Sequence, residues 1–136
     1  MQDDVYIYVL RLTDGRYYVG KTYNVEKRYR EHCNGNGSAW TRRYAPLEIV
    51  ESYRSSNIFE EDRKTKQVMN ERGIENVRGG TYVTMELDPN TVEFLQKEIW
   101  TGQDKCGRCG CDSHHIVDCK AKRNIKGERI EKKYYR

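Results

Sequence analysis

The alternation of apolar and polar positions divides the chain into a run of short elements. Val5 to Leu12 is apolar or aromatic at almost every position, which predicts a strand covered on both faces and therefore central in a sheet. Thr13-Asp14-Gly15 is a turn signal, and Arg16 to Gly20, extending to about Thr22, predicts a second strand closing a hairpin. Asn24 is placed to cap a helix that reaches about Cys33. Gly35 and Gly37 mark a loop through Pro46, and Leu47 to Tyr53 predicts a third strand. Asn57, with Glu60 three residues on, suggests a capping box opening a helix that ends near Arg72, before Gly73. Asn76 to Gly80 reads as a loop. Asp88-Pro89 opens a last helix with Val92, Leu95 and Ile99 on one face.

At Gly102 the composition changes to Cys, Gly, His and Lys. The expected organisation is a folded domain over 1–101, a small Cys/His module over 102–121 and a basic tail over 122–136. The predicted class is α+β: a small three-stranded sheet flanked by helices, plus a metal-held knuckle.

The hairpin register matters because side chains alternate faces with period two. A three-residue turn, Thr13 to Gly15, pairs Leu12 with Arg16. Tyr18 then lies opposite Leu10 and Tyr8 opposite Gly20, all on one face. A two-residue turn would send the two tyrosines to opposite faces. The three-residue register is the expectation, with Gly15 in a left-handed conformation.

Composition adds constraints. The chain has 136 residues, 36% hydrophobic and 34% charged, so the core is small. It holds 11 Tyr against 2 Phe, and most of these rings are expected simply to pack. Net charge is +4, but Lys120 to Arg136 carries eight Lys/Arg against Glu128 and Glu131, a local +6 that leaves −2 elsewhere. That suits a polyanionic partner, or simply a solvated tail. No apolar run approaches membrane-spanning length, and the N-terminus lacks the features of a signal peptide, so an intracellular, unsecreted protein without a membrane partner is expected.

Five cysteines in such a chain point to metal rather than disulfides. Cys106-x2-Cys109-x4-His114-x4-Cys119 has the spacing of a CCHC knuckle. Three thiolates and an imidazole saturate tetrahedral Zn²⁺, so this site is expected to be structural. Cys111 and His115 are neighbours that could substitute as ligands. Cys33 is expected to be a packed thiol.

The second candidate site combines Tyr8 and Tyr18 on the hairpin, Arg28 ten residues beyond Tyr18, His32, and the carboxylates Glu60-Glu61. Phosphodiester hydrolysis needs an oriented nucleophile, a cation on the nonbridging oxygens and a metal, and these side chains suit those roles. Spacing along the predicted helix places Glu61 inward with Ile58, Thr65, Val68 and Met69, and Glu60 about a quarter-turn away. An inward carboxylate needs a partner or a metal.

The runs Tyr6-Ile7-Tyr8-Val9-Leu10 and Tyr18-Val19-Gly20-Lys21-Thr22, with Arg28 and His32, resemble the GIY-YIG nuclease family. Gly35 to Arg42 is similar to a loop of one branch, and Asn76 to Gly80 to a run in a further subset. Tyr6 stands where the family name has Gly. The resemblance implies a DNA endonuclease with one Mg²⁺ or Mn²⁺ held by Glu61, phosphate bound by Arg28, tyrosines beside the attacking water, and His32 as a secondary group. A free phenol has pKa about 10, so either a nearby cation such as the metal or Lys21 lowers it, or the tyrosine only orients water. Lys21, Trp40, Arg42, Arg43, Asn76 and Arg78 are the expected nucleic-acid contacts; Trp40 could equally anchor the core. The alternatives are an inert nucleic-acid-binding module of the same fold and a zinc-dependent protein-interaction module.

Overall fold

The computed structural model describes residues 4–112, 114 and 119–130. They form two compact units that divide between Leu87 and Asp88. The last helix therefore belongs with the Cys-rich segment, although the composition changes only at Gly102.

The first unit is built on a sheet of β1 (Tyr6–Leu12), β2 (Tyr17–Thr22), β3 (Pro46–Arg54) and the short β4 (Val77–Gly79), ordered β3-β1-β2-β4. β1 is central, as its two-sided apolar pattern requires. β4 pairs parallel with β2 and lies in the run expected to be a loop. That run is Gly-rich and too short for periodicity to mark it. Gly79 also has φ 154° and packs so close to Val19 that a Cβ would overlap it.

The hairpin has the three-residue register. Leu12 N–H donates to Arg16 O at 2.8 Å, Tyr8 pairs with Gly20 and Leu10 with Tyr18. Asp14 joins Gly15 in the left-handed region, with φ of 60° and 71°.

α1 (Val25–Cys33) starts where Asn24 Oδ1 accepts the Lys27 N–H at 3.0 Å. α2 (Ala39–Arg43) interrupts the expected loop and is held by a capping box between Ser38 and Thr41. α3 (Glu60–Arg72) stops at Gly73, but Asn57 does not cap it: Asn57 Oδ1 accepts from Phe59 N–H in a local turn, and Glu60 turns instead to Tyr53, Ser56 and Arg63.

Alternation sorts the sheet's two faces. Tyr8, Leu10, Leu12, Tyr18 and Trp40 form one buried cluster, packed with Val25, Tyr29 and Tyr44 from the α1–α2 side. Side chains of the other face meet α3: Arg72 stacks on Tyr17, Lys64 pairs with Glu51, and Lys21 approaches Glu61. Thr65, Val68 and Met69 of α3 are buried as its spacing predicts, but Ile58 is 82% exposed because the helix begins after it. Cys33 is exposed at the end of α1 and is not the packed thiol expected.

The second unit opens with α4 (Pro89–Gly102), with Asp88 as cap, Pro89 in its first turn, and Leu95 and Trp100 buried. Among the described residues no helix is long and apolar enough to cross a membrane.

Candidate active site and metal centre

Tyr8, Tyr18 and His32 converge at the end of the hairpin. Ring centroids are 6.2 Å apart for the tyrosines, 5.8 Å for Tyr8–His32 and 5.0 Å for Tyr18–His32. Gly20 and Gly37 permit this approach, since a Cβ at Gly20 would overlap the Tyr8 ring and one at Gly37 the His32 ring. His32 is fully buried, far from the solvated helix end that its position in the sequence suggested.

A hydrogen-bonded chain orders the site. Tyr8 Oη lies 2.8 Å from His32 Nε2, and His32 Nδ1 lies 2.8 Å from Thr41 Oγ1. Thr41 Oγ1 is also bound to Ser38 O and accepts the Ser38 N–H. With the Thr41 proton on that carbonyl, Nδ1–H donates to Thr41 and Nε2 accepts from Tyr8. Arg28 agrees with this assignment. Its guanidinium, which donates to Glu31 at 2.8 Å, acts on the Tyr8 oxygen to favour the phenolate, and since a guanidinium only donates, the phenolic proton is left for His32.

Burial pushes the Tyr8 phenol well above its ordinary range. Tyr18 and Glu61 add to the rise and Arg28 opposes it. Tyr18 is raised by burial and by the Glu61 charge. Burial lowers His32 to about 4, with Arg28 contributing, so its imidazole is neutral near pH 7. The cation acting on Tyr8 is thus Arg28. Lys21, considered for that role, instead lies 4.0 Å from Glu61 Oε1.

Glu61 approaches from the α3 side. Its pKa is raised by burial and by Asp62, while Lys21 and a backbone hydrogen bond from Gly80 lower it. Glu60, not Glu61, is the more buried of the pair: it is 3% exposed and bound to Tyr53 Oη at 2.9 Å, Ser56 Oγ at 3.2 Å and Arg63. Glu60 thus takes the inward position that helix spacing predicted for Glu61, whose side chain is partly buried. What separates the two residues is that Glu60 is bound by three side chains, while Glu61 lines an open cavity with a Gly80 backbone hydrogen bond and Lys21 at 4.0 Å.

Arg78 and Asn76, expected as nucleic-acid contacts, are engaged within the fold, and of the two readings open for Trp40 its surroundings support the core one. Trp40 is 3% exposed, donates Nε1–H to Tyr17 O at 2.9 Å and is covered by Arg78 and Tyr44. It is a core anchor. Arg78 is 4% exposed, with its guanidinium spent on the carbonyls of Ile74, Val77, Thr84 and Met85. Asn76 Nδ2 donates to Arg72 O and finishes α3. The 76–80 run thus supports α3, with Thr81 holding Asp62 and Gly80 reaching Glu61. Arg42 and Arg43 remain exposed. Thr41 and Ser38 were missed by sequence reasoning, although the Ser-x-x-Thr cap spacing was there to find them.

A sequence profile described as the GIY-YIG catalytic domain matches residues 4–71. The chain belongs to the GIY-YIG family. Relatives of this GIY-YIG chain include UPF0213 proteins of Natronomonas pharaonis, 44% identical over 54 residues, and of Halalkalibacterium halodurans, 35% identical over 48 residues. These matches span 40% and 35% of this chain, and 64% and 51% of the respective relatives. A UPF0213 protein of Oceanobacillus iheyensis is 32% identical over 71 residues, half of this chain and 83% of the relative. No solved structure matches the chain.

In the second unit, the ligand atoms of Cys106, Cys109, His114 and Cys119 all lie within 4.8 Å of one another, a Cys3His group able to hold a metal ion. Backbone N–H groups of Arg108 and Cys109 donate to Cys106 Sγ at 3.3 and 3.4 Å, and the Arg108 guanidinium reaches Cys119 Sγ at 3.2 Å. Such donors orient thiolates and ease their charge. Burial opposes ionisation of Cys119, but hydrogen bonds from Ala121, His114, Arg108 and Cys106 outweigh it and hold the thiol down at about 6. Cys111 stands outside the group, and its carbonyl accepts the Cys106 N–H. His115 lies outside the described residues, as do Lys132, Lys133 and Arg136 of the expected tail.

Proposed function

We propose that this GIY-YIG chain is a divalent-metal-dependent endonuclease that hydrolyses phosphodiester bonds in DNA. The observation that carries the reading is the convergence of Tyr8, Tyr18, His32 and Arg28 within electrostatic reach of Glu61. A core that needed only to pack would not be expected to gather two phenols, an imidazole, a guanidinium and a carboxylate.

Glu61 is the residue suited to hold Mg²⁺ or Mn²⁺, since one half-buried carboxylate with waters and phosphate oxygens matches their preferred donors. When bound, the ion would stabilise charge developing on the phosphate and leaving oxygen. The protein's own groups do the rest. Arg28 binds nonbridging oxygens. Tyr8 Oη accepts the proton of the attacking water as its own proton passes to His32 Nε2, so no free phenolate is required. A P–O bond forms to the water oxygen, the P–O bond to the leaving group breaks, the leaving oxygen takes a proton from solvent, and His32 gives its proton back to solvent.

The Cys3His group is the site for a structural Zn²⁺. Around it Lys120, Lys122, Arg123, Lys126 and Arg129 present positive charge. Within this segment Ile125 N–H donates to Cys109 O at 2.7 Å, and Arg123 forms an antiparallel bridge with Arg129. This unit would add backbone affinity for nucleic acid. Incubating the protein with labelled linear and branched DNA and matched RNA, with Mg²⁺ or with EDTA, tests the proposal. Metal-dependent cleavage of DNA supports it, and its absence on every substrate removes it.

A further inference from the structure

A cavity of about 300 Å³ opens where β1 begins and β3 ends, against the first turn of α3. Of the residues assigned roles above, only Lys21 and Glu61 line it. Val5 and Ile7 give it an apolar lining, and Ile58, at its edge, is 82% exposed. A single exposed aliphatic side chain is ordinary, but Ile58 is followed by Phe59, 72% exposed, so two uncovered apolar side chains stand together immediately before α3. Arg54 stands at the rim and, among the described residues, pairs with Asp4 at 3.2 Å in an ion pair whose side chains are 70% and 38% exposed. Exposed pairs of this kind contribute little, so Arg54 can exchange Asp4 for a phosphate. Ser55 and Ser56 direct their hydroxyls to Asn57 O and Glu60, which shapes the rim.

The formal charges lining the cavity cancel, Lys21 and Arg54 against Asp4 and Glu61. A divalent cation on Glu61 would tip that balance to positive. The result is a partly apolar cavity beside a cationic rim, next to the Glu61 carboxylate, with a volume on the scale of one nucleotide. Such a cavity matches a flat base joined to a phosphate.

We propose that this cavity is a subsite for one unstacked nucleotide adjacent to the scissile phosphate, with Arg54 on its phosphate and Ile58 against its base. The inference rests on the nuclease reading and adds a preference to it. A base enters such a cavity only when out of its stack, so strands unpaired at that nucleotide are bound and cut better than continuous duplex.

The test uses the full chain carrying Tyr8→Phe, which keeps Glu61 and its cation but cuts slowly, with Mg²⁺ and a DNA strand with 2-aminopurine moved one position at a time, both single-stranded and paired. The expected result is a fluorescence change confined to one position in the unpaired strand. Arg54→Gln or Ile58→Ser should weaken that binding roughly tenfold. Arg54→Lys should restore most of it. In the cleaving protein the same two substitutions should raise KM for unpaired strands. Both side chains are exposed, so the melting temperature should not move. Fluorescence indifferent to both substitutions, or equal cutting of paired and unpaired strands, overturns the subsite. No cleavage of any substrate by the unmodified chain would defeat the nuclease reading, while the 2-aminopurine signal would still decide the subsite.

Discussion

Tyr8 and His32 are joined by a 2.8 Å hydrogen bond between two buried side chains twenty-four residues apart. One comes from the central strand and one from the first helix. Thr41, on the second helix, fixes the far side of the imidazole. The phenol thus has a defined proton acceptor, although burial makes it harder to ionise.

Removing the phenolic oxygen should abolish the proton path without emptying the core. Tyr8→Phe is expected to lower kcat by at least about a hundredfold while DNA affinity changes little. Thr41→Val should free the imidazole to change tautomer and cost roughly tenfold. Nitrogen NMR of His32 checks the assignment directly, with the proton on Nδ1 expected in the unmodified protein. A proton on Nε2 would reverse the donor and acceptor roles given to Tyr8.

The low pKa of His32 makes stability depend on pH. Burial holds the folded value near 4, against an ordinary 6.5. The unfolded chain therefore binds the proton more readily. The stabilisation is complete above about pH 6.5 and is lost as pH falls from there toward 4, a change on the order of 3 kcal/mol. Melting curves of the unmodified chain and His32→Asn should converge across that window. Parallel curves would show that His32 titrates normally.

Glu60 and Glu61 should separate into different phenotypes. Glu61→Gln is expected to reduce cleavage at least about a thousandfold with melting and DNA binding largely retained. Glu60→Gln should instead lower the melting temperature, by about 1 to 3 kcal/mol of stability, because Tyr53, Ser56 and Arg63 lose a common anionic acceptor. Its folded fraction should still cut. Loss of cleavage by a stable Glu60→Gln protein would move the metal role to that residue.

Gly20 is a sensitive position for Tyr8. Its Cβ would overlap the Tyr8 hydroxyl, the far end of a side chain, so Gly20→Ala should displace the phenol more than the backbone. Cleavage should fall while the sheet survives. Circular dichroism and activity measured on the same sample distinguish this outcome from unfolding.

Chelating the metal should disrupt the second unit. A Cβ at Gly110 would meet Trp100 and Ile125, so the indole packs directly on the Cys-rich segment. With a chelator, Trp100 fluorescence is expected to change and about one zinc per chain to be released. The thermal transition of the first unit should remain. Unchanged fluorescence would show that the segment holds its shape without a metal.

What the sequence determined by itself was local. The central strand, the hairpin register, the Asn24 and Asp88 caps, the Gly73 stop and the Cys/His spacing each depend on neighbours within a few residues, where period and turn chemistry suffice. The candidate site was legible for the same reason, because Tyr8, Tyr18, Arg28 and His32 lie at fixed steps along a hairpin and one helix.

Only tertiary structure decided the rest. Arg78 looks like a surface contact, and Trp40 could be either contact or core anchor, until the α2 turn and β4 bury one against the other at 4.4 Å. Glu60 and Glu61 differ by one position, and helix spacing favoured Glu61 as the inward residue. The β3 residue Tyr53 and the late start of α3 put Glu60 there instead. β4 exists because β2 offers it an edge, and His32 is buried because Gly37 lets α1 and the following loop close over it. In each case the deciding partner is distant in the chain, so its effect appears only after the sheet has brought the two together.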